Sequence, residues 1–545
     1  MNNTKAQRGG WERSNCLLYK PRLYAVTRRY YLQTTVHTRL LDIKTFKMQY
    51  KMNKIPHSRL TRRNSLDNKP ISSFNNSSGQ KIVRVEPAAQ SSPLDTPVTF
   101  APVDWNNKRL FSLFWPLIVE QLLVVMIGIV DMVMVSSVGE YAVSGVSLVE
   151  SINFLIITAF NAVATGGSVV ASQYLGRKDE KSACCSARQL IYVGVTISVI
   201  MMIFTLFTRR PILGLIYGNI TEDVMQAADV YFLWIALSYP FLALYTAAAA
   251  MFRSMGNSKV PMRTVVLLNI FNVGGNALFI YGFGLGVAGA AISTFIGRLV
   301  VALLLMHLLI KDKTRIINLH GLTKVKLEGE MIKKILNIGI PSGLESSMFQ
   351  VGKILVTRIF TIFGTAAIAA NAVGATINSI AFMPGSGFGM GLLIIVGQCI
   401  GAGDYLAAKK YTKKIMILSY ITYLFININI FIFMDPIISI FNLSAEAHEM
   451  CSLFLKVHCI TSTLFWCPSF VLPNSLKAAG DARYVMVVAV STMWLVRVCS
   501  AFLMAFVLGF GPVAVYLAMG ADFLFRGIFF LKRWLSNKWI EKRVI

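Results

Sequence analysis

The sequence predicts an all-α polytopic membrane protein: twelve transmembrane helices in two six-helix lobes, related by a parallel internal repeat. Three observations predict it. The 545 residues are 55% hydrophobic and only 14% charged, where soluble proteins carry about 25% charged residues. Lys and Arg crowd alternate loops. The chain also matches itself at a spacing of 225 residues.

The apolar runs come first. A span needs about 20 residues of low charge, and charge-free runs of that length occupy 151–176, 189–208, 230–252 and 415–434. The run 264–297 is longer and is interrupted by the glycine-rich YGFGLG, so it divides into two helices and a tight hairpin; 359–403 divides similarly at FGTAA. The helices are expected at 110–135, 141–173, 187–208, 224–252, 262–281, 287–310, 336–361, 366–400, 415–434, 448–475, 485–508 and 512–531.

The net charge of +27 would suggest nucleic acid as partner of a soluble chain, but its placement explains it without one. Loops after even-numbered helices hold Arg177, Lys178, Lys181, Arg253, Lys259, Lys313, Lys326, Lys409, Lys414 and Arg483; loops after odd-numbered helices hold Arg209 and Arg210, with Glu140, Glu222, Asp223, Asp435 and Glu446 beside them. The positive-inside rule then assigns the even loops and both termini to the cytoplasm of a cell (plasma or inner) membrane. The eight cysteines form no CxxC and share no metal spacing with the six histidines, so apolar packing is their expected role.

Residues 1–100 differ in kind. They carry eighteen Lys or Arg against five Asp or Glu, with no sustained apolar period. They are expected to form a disordered basic extension; a targeting address or a basic tail lying on anionic lipid are the alternatives. The expected domains are this extension, an N-lobe at 108–310, a basic inter-lobe linker at 311–335, a C-lobe at 336–532 and a basic tail at 533–545.

The repeat aligns Pro116 with Pro341, Glu120 with Glu345, Gly139 with Gly364 and Gly166 with Gly391. SQYLGRKDEKSA falls on GQCIGAGDYLAA, matching Gln173 with Gln398, Gly176 with Gly401 and Asp179 with Asp404. Further on, Gly256 meets Gly480 at a spacing one residue shorter. Six helices separate the copies, so both enter the bilayer in the same sense, and two such bundles enclose a cleft able to hold substrate near mid-membrane.

An ionisable residue inside a span is a functional candidate by default. Asp131 is one, within LLVVMIGIVDMVMVSSVG, and the repeat places Val356 opposite it. Glu120 and Glu345 are repeat mates, for which a structural role and a coupling role stand level. Lys353 lies two turns beyond Glu345, poised to pair with a carboxylate or to snorkel. Asn153, Gln350, Asn371 and Asn378 are candidates for the cleft or for bonds between helices. Met126, Met132, Met134, Met348, Phe349 and Met383 would suit an adaptable apolar pocket, with packing as the plainer role for each. GLGVAG matches a dinucleotide fingerprint but sits in a hairpin between spans, without the required strand.

FWPLIVEQLLVVMIGIVDMVMVSSVG, ASQYLGRKDEKSA, MFRSMGNSKVPM, NIFNVGGNALFIYGFGLGVAGAAIST and FMPGSGFGMGLLIIVGQCIGAGD, in this order, resemble the MATE (multidrug and toxic compound extrusion) transporters over about 108–535. The resemblance implies a two-lobe antiporter that exports organic, often cationic compounds in exchange for Na⁺ or H⁺, acts as a monomer, and uses no cofactor beyond the coupling ion. It also implies a cation-coupling cluster of Asp131, Asn272, Asn276 and Thr294. At Asn276 the family carries an Asp, so this chain has an amide where a second acid is usual. A lipid-linked oligosaccharide flippase shares the two-lobe design but would show fourteen helices and a more cationic cleft. A membrane enzyme would need a nucleophile with its base, paired acids or a His cluster, and no span contains one. GxxxxGK[ST] is absent, so an ion gradient is the expected energy source.

Overall fold

The computed structural model describes residues 105–218, 221–311, 316–319, 322, 326–542 and 544–545. The extension expected at 1–100 lies outside the described residues, as do 312–315, 320–321 and 323–325 of the linker expected at 311–335. The described chain is a bundle of long helices. In the N-lobe these are α1 (Asn107–Ser136), α2 (Glu140–Gly176), α3 (Glu180–Tyr217), α4 (Glu222–Leu237 continued by Tyr239–Ser254), α5 (Lys259–Gly282) and α6 (Gly286–Lys311). The C-lobe has α7 (Gly329–Ile362), α8 (Thr365–Gly401), α9 (Tyr405–Ile432), α10 (Ala445–Ala478), α11 (Ala482–Val507) and α12 (Gly511–Leu535). A short helix, Met434–Ser439, follows α9. Ten of these are long and apolar enough to cross a membrane, and the two parts of α4 make an eleventh span. The twelfth, α7, spans 34 residues but carries Glu345, Lys353 and Arg358 among its apolar side chains.

Several helices outrun their apolar segments. α3 begins at Glu180, seven residues ahead of the expected start at 187, because the Asp179 carboxylate accepts the Ser182 N–H at 3.0 Å and caps a charged first turn. Its far end passes Arg209 and Arg210, the two cations on the otherwise acid-bearing side. Both pair with Asp229, at 2.5 and 3.3 Å, which neutralises the exception to the charge pattern. The expected single helix at 224–252 bends by 47° at Ser238, where Pro240 begins the second part.

The repeat is visible in local geometry. Gly139 and Gly364 both take positive φ ahead of α2 and α8, and Gly256 and Gly480 do so after α4 and α10. Asp179 and its mate Asp404 cap α3 and α9 alike, Asp404 accepting from the Ala407 N–H at 2.8 Å.

The lobes meet at the end that carries the basic loops. There Gly176 lies against the Gln398 backbone and Gly401 against the Gln173 backbone, each so close that a Cβ would collide with the facing carbonyl oxygen. Gln173 Nε2 donates to the Ala478 carbonyl at 2.7 Å, and Gln398 Nε2 donates to the Ser254 carbonyl at 2.8 Å. Deeper, Gly166 touches the Ile335 carbonyl, and its mate Gly391 seats the Phe114 ring. Lys334 to Tyr174, Lys414 to Asn107, and Gln121 to Met390 add to this seam. Toward the opposite end α1 turns outward a row of apolar residues around Val124, Gly128 and Met132, which line an open concavity.

Candidate functional site

The site is built on three N-lobe helices. Asn272 and Asn276 are four residues apart on α5 and so share one face. α6 packs close beside them because Gly275 leaves no Cβ against Ser293, whose hydroxyl donates to the Asn272 carbonyl at 2.8 Å. α1 brings Asp131 to that face. Asn276 Nδ2 donates to Asp131 Oδ1 at 2.5 Å, and Asn272 Nδ2 donates to Asp131 Oδ2 at 3.3 Å and to Thr294 Oγ1 at 3.1 Å. The structure therefore brings Asp131, Asn272, Asn276 and Thr294 into one hydrogen-bonded group. Asn272 and Asn276 are buried; Asp131 and Thr294 are half-buried and give the group its open side. Asn276 Oδ1 is buried without a hydrogen-bond partner, an oxygen held in reserve beside the carboxylate.

Two further charges act on Asp131: Glu150 on α2 and Arg298 on α6. Glu150 accepts from the Tyr231 hydroxyl at 2.9 Å and from Asn153 Nδ2 at 3.2 Å. Arg298 Nη1 donates to the Ser238 hydroxyl at 2.7 Å, at the bend of α4. Neither charge was foreseen, although the repeat contains the signal: Glu150 answers to Ala375 and Arg298 to Phe523, as Asp131 answers to Val356.

Glu120 and Glu345 prove to be equivalent ion-pair partners. Arg253 Nη1 donates to Glu120 Oε1 at 2.6 Å, and Lys477 Nζ lies 2.7 Å from Glu345 Oε2. Each pair ties the first helix of its lobe to the end of the fourth, near the inter-lobe seam, and neither touches the Asp131 group. Asn153, a candidate for the cleft or for a bond between helices, is fully buried, and its amide donates to Glu150 on its own helix. Asn378 and Met383 are also buried. Asn371 accepts from the Tyr516 hydroxyl at 3.4 Å. Gln350 and Met348 are half-buried on α7, as are Met132 and Met134 on α1, where Met126 is exposed. Phe349 stacks edge-on against Phe470. Lys353 is exposed, and among the described residues no carboxylate pairs with it.

Comparison with known proteins follows the same outline. The MatE family model matches residues 116–278 and again 341–503, two segments offset as the repeat predicts. An uncharacterized transporter, YisQ, of Bacillus subtilis (strain 168) is 31% identical over 79% of this chain and 95% of its own length. A probable multidrug resistance protein, NorM, of Thermotoga maritima is 26% identical over 81% of this chain and 94% of its own. A crystal structure titled as MATE in the bent conformation superposes with a TM-score of 0.75 at 17% identity, over 80% of this chain and 96% of that one.

Proposed function

Because the chain belongs to the MatE family and is a multi-pass membrane transporter, we propose that it is a secondary antiporter which exports amphipathic, mainly cationic organic compounds in exchange for H⁺ or Na⁺. The observation that carries this reading is the Asp131 group: a carboxylate inside a span, held by two amides, with an unpartnered amide oxygen beside it. Such a group has two low-energy arrangements. With Asp131 ionised and empty, both amides donate to it. When a proton or Na⁺ arrives, the Asn276 amide turns over and offers Oδ1, to the new O–H or to the ion; Thr294 Oγ1 and Asn272 Oδ1 complete the oxygen set. The exchange changes the charge on the first helix of one lobe and rearranges its bond to α5, which is the kind of local event that biases a two-lobe equilibrium.

The charge pattern assigns the seam to the cytoplasmic side, so this arrangement is the outward-open one, and the opposite state requires the Gln173 and Gln398 bonds to part. The twelve helices favour a drug exporter over an oligosaccharide flippase. The test is efflux of a fluorescent organic cation from vesicles, with Na⁺ and pH gradients imposed separately, in wild type and Asp131→Asn. Efflux driven by one gradient and lost in the variant is expected; unchanged efflux in the variant removes Asp131 from the mechanism.

A further inference from the structure

The repeat lets each lobe be compared with the other, residue by residue, at the Asp131 group. Up to the middle of α11 the spacing is that of Gly256 and Gly480: buried Pro261 and Val265 answer to buried Val485 and Ala489. At the next hairpin, Gly286 and Gly511, both at positive φ, stand one residue further apart. The extra residue is absorbed in α11. The N-lobe has one π-helical segment here, Ala277–Gly282, which the C-lobe repeats as Leu503–Val507; the C-lobe adds a second, Thr492–Val498. A π turn holds one residue more than an α turn. Near the end of this second segment buried Arg497 answers to buried Asn272, and beyond it buried Ala501 answers to buried Asn276. A regular helix would have brought Val496 to that place.

Arg497 thus occupies in the C-lobe the position that Asn272 occupies beside Asp131. Around it the chemistry is inverted. Val356 replaces the carboxylate, and one turn away on α7 stands Lys353. Arg526 on α12 is fully occupied: it pairs with both oxygens of Asp522 at 3.2 Å and donates to Thr492 and to the Ala489 carbonyl. Asp522 is therefore already matched. Arg497 is 6% exposed, forms no hydrogen bond or ion pair among the described residues, and its Nε is buried without a partner there; its guanidinium rests over the Phe349 ring, 5.6 Å from the centroid. The charges acting on it are Asp522 and Arg526, which pair with each other, and the one acting on Lys353 is Arg497. Two positive charges at membrane depth are left without a counter-charge. A lysine turned toward acyl chains at that depth is strongly disfavoured, which favours the cleft over the lipid as the side the exposed Lys353 faces.

We infer that Arg497 and Lys353 form an anion-binding subsite for the carboxylate of an amphipathic substrate. The cleft then presents an acid in one lobe and a pair of cations in the other, an arrangement that favours, among the cationic compounds of the exporter reading, those that also carry a carboxylate. The inference rests on the exporter reading only in taking the cleft as the transport path.

The test uses two dyes that differ at one group: rhodamine 110, with a free carboxylate, and rhodamine 123, its methyl ester. Binding to the purified full-length protein is followed by fluorescence anisotropy. Wild type should prefer rhodamine 110. Lys353→Gln and Arg497→Gln should weaken rhodamine 110 by roughly ten- to a hundredfold, the range for losing a charge-assisted hydrogen bond, and leave rhodamine 123 within about twofold. Arg497→Lys, which keeps the charge, should restore most of the preference. Lys353 is exposed and makes no bond, so its replacement guards against a folding artefact. Equal affinity for the two dyes in wild type, no binding of rhodamine 110, or equal weakening of both dyes in Lys353→Gln overturns the subsite. Gradient-driven efflux of rhodamine 123 with no effect of these variants on rhodamine 110 would leave the antiporter standing without it. The expected binding pattern with no gradient-driven efflux would do the reverse.

Discussion

Gln173 and Gln398 perform the same act from opposite lobes: each crosses the seam and donates its side-chain amide to the carbonyl at the end of the other lobe's fourth helix, at 2.7 and 2.8 Å. Each is buried and each lies three residues before the glycine that packs against the other. The two contacts are related by the pseudo-two-fold axis that the parallel repeat implies.

Replacing both glutamines by alanine should move the lobe equilibrium toward opening at this end. Each bond contributes about 0.5–1.5 kcal/mol net, so the pair should change the population ratio by roughly five- to 150-fold. Gly176→Ala should act in the same direction and more strongly, because its Cβ collides with the Gln398 carbonyl. Thiol labelling at a cysteine placed in the seam reads both effects; unchanged labelling in the double variant would mean that the seam is held elsewhere.

The paired acids give a separate outcome. Glu120→Ala leaves the buried Arg253 guanidinium without its carboxylate and should cost about 3–5 kcal/mol. Glu345→Ala should cost less, about 1–3 kcal/mol, because the Glu345 and Lys477 side chains are 16% and 13% exposed against 4% and 12% for Glu120 and Arg253. Thermal unfolding in detergent measures both. Ion dependence of efflux should survive in whatever fraction of Glu345→Ala remains folded, and a changed coupling ion there would give Glu345 a role beyond structure.

Voltage provides the third prediction. One charge crossing 100 mV yields about 2.3 kcal/mol, roughly fifty-fold in accumulation. Glu345 is matched by Lys477; if Asp131 alone couples, exchange of one monovalent cation for one coupling ion moves no net charge. Export of a monovalent cation should then ignore a potential clamped with valinomycin. Strong voltage dependence would require a second coupled charge.

The cap of α3 supplies a pH-dependent case outside the spans. The Ser182 N–H holds the Asp179 carboxyl below its ordinary value of 3.8, with Arg177 and Lys181 adding to the effect. A depressed carboxyl stabilises the fold above its unfolded pKa and loses that contribution as pH falls through the folded one. Asp179→Ala should lower the melting temperature by a constant amount above about pH 5, corresponding to about 0.5–2 kcal/mol for a lost cap. The gap should close on acidification below the ordinary carboxylate range. A gap that persists there would assign the loss to packing rather than to the charged cap.

Much of this architecture could be read in advance because it rests on signals the chain carries locally: apolar run lengths, the side on which Lys and Arg collect, and self-similarity at fixed spacing. Asp131 stood out because its repeat mate is Val356, and the amides around it followed from family resemblance. The salt bridge from Lys477 to Glu345 was not legible, since it depends on how closely α10 approaches α7 near the seam. Glu150 is hard to single out because it borders the charge-free run 151–176, where a carboxylate reads as a flank. Arg497 escaped for a geometric reason: its register with Asn272 depends on a π-helical turn, and no residue type in TMWLVRV announces one.

That extra turn has a consequence for how the two halves could have diverged. A residue inserted into a regular helix rotates everything beyond it by about 100°, and in a packed bundle such a rotation would misalign α12 and the seam together. The segment Thr492–Val498 takes up the added length where it occurs, so each helix downstream stays in phase with its counterpart. A duplicated copy can therefore gain a codon inside the bilayer and still fold, leaving a position that is neutral in one half, Asn272, free to be a cation in the other, Arg497.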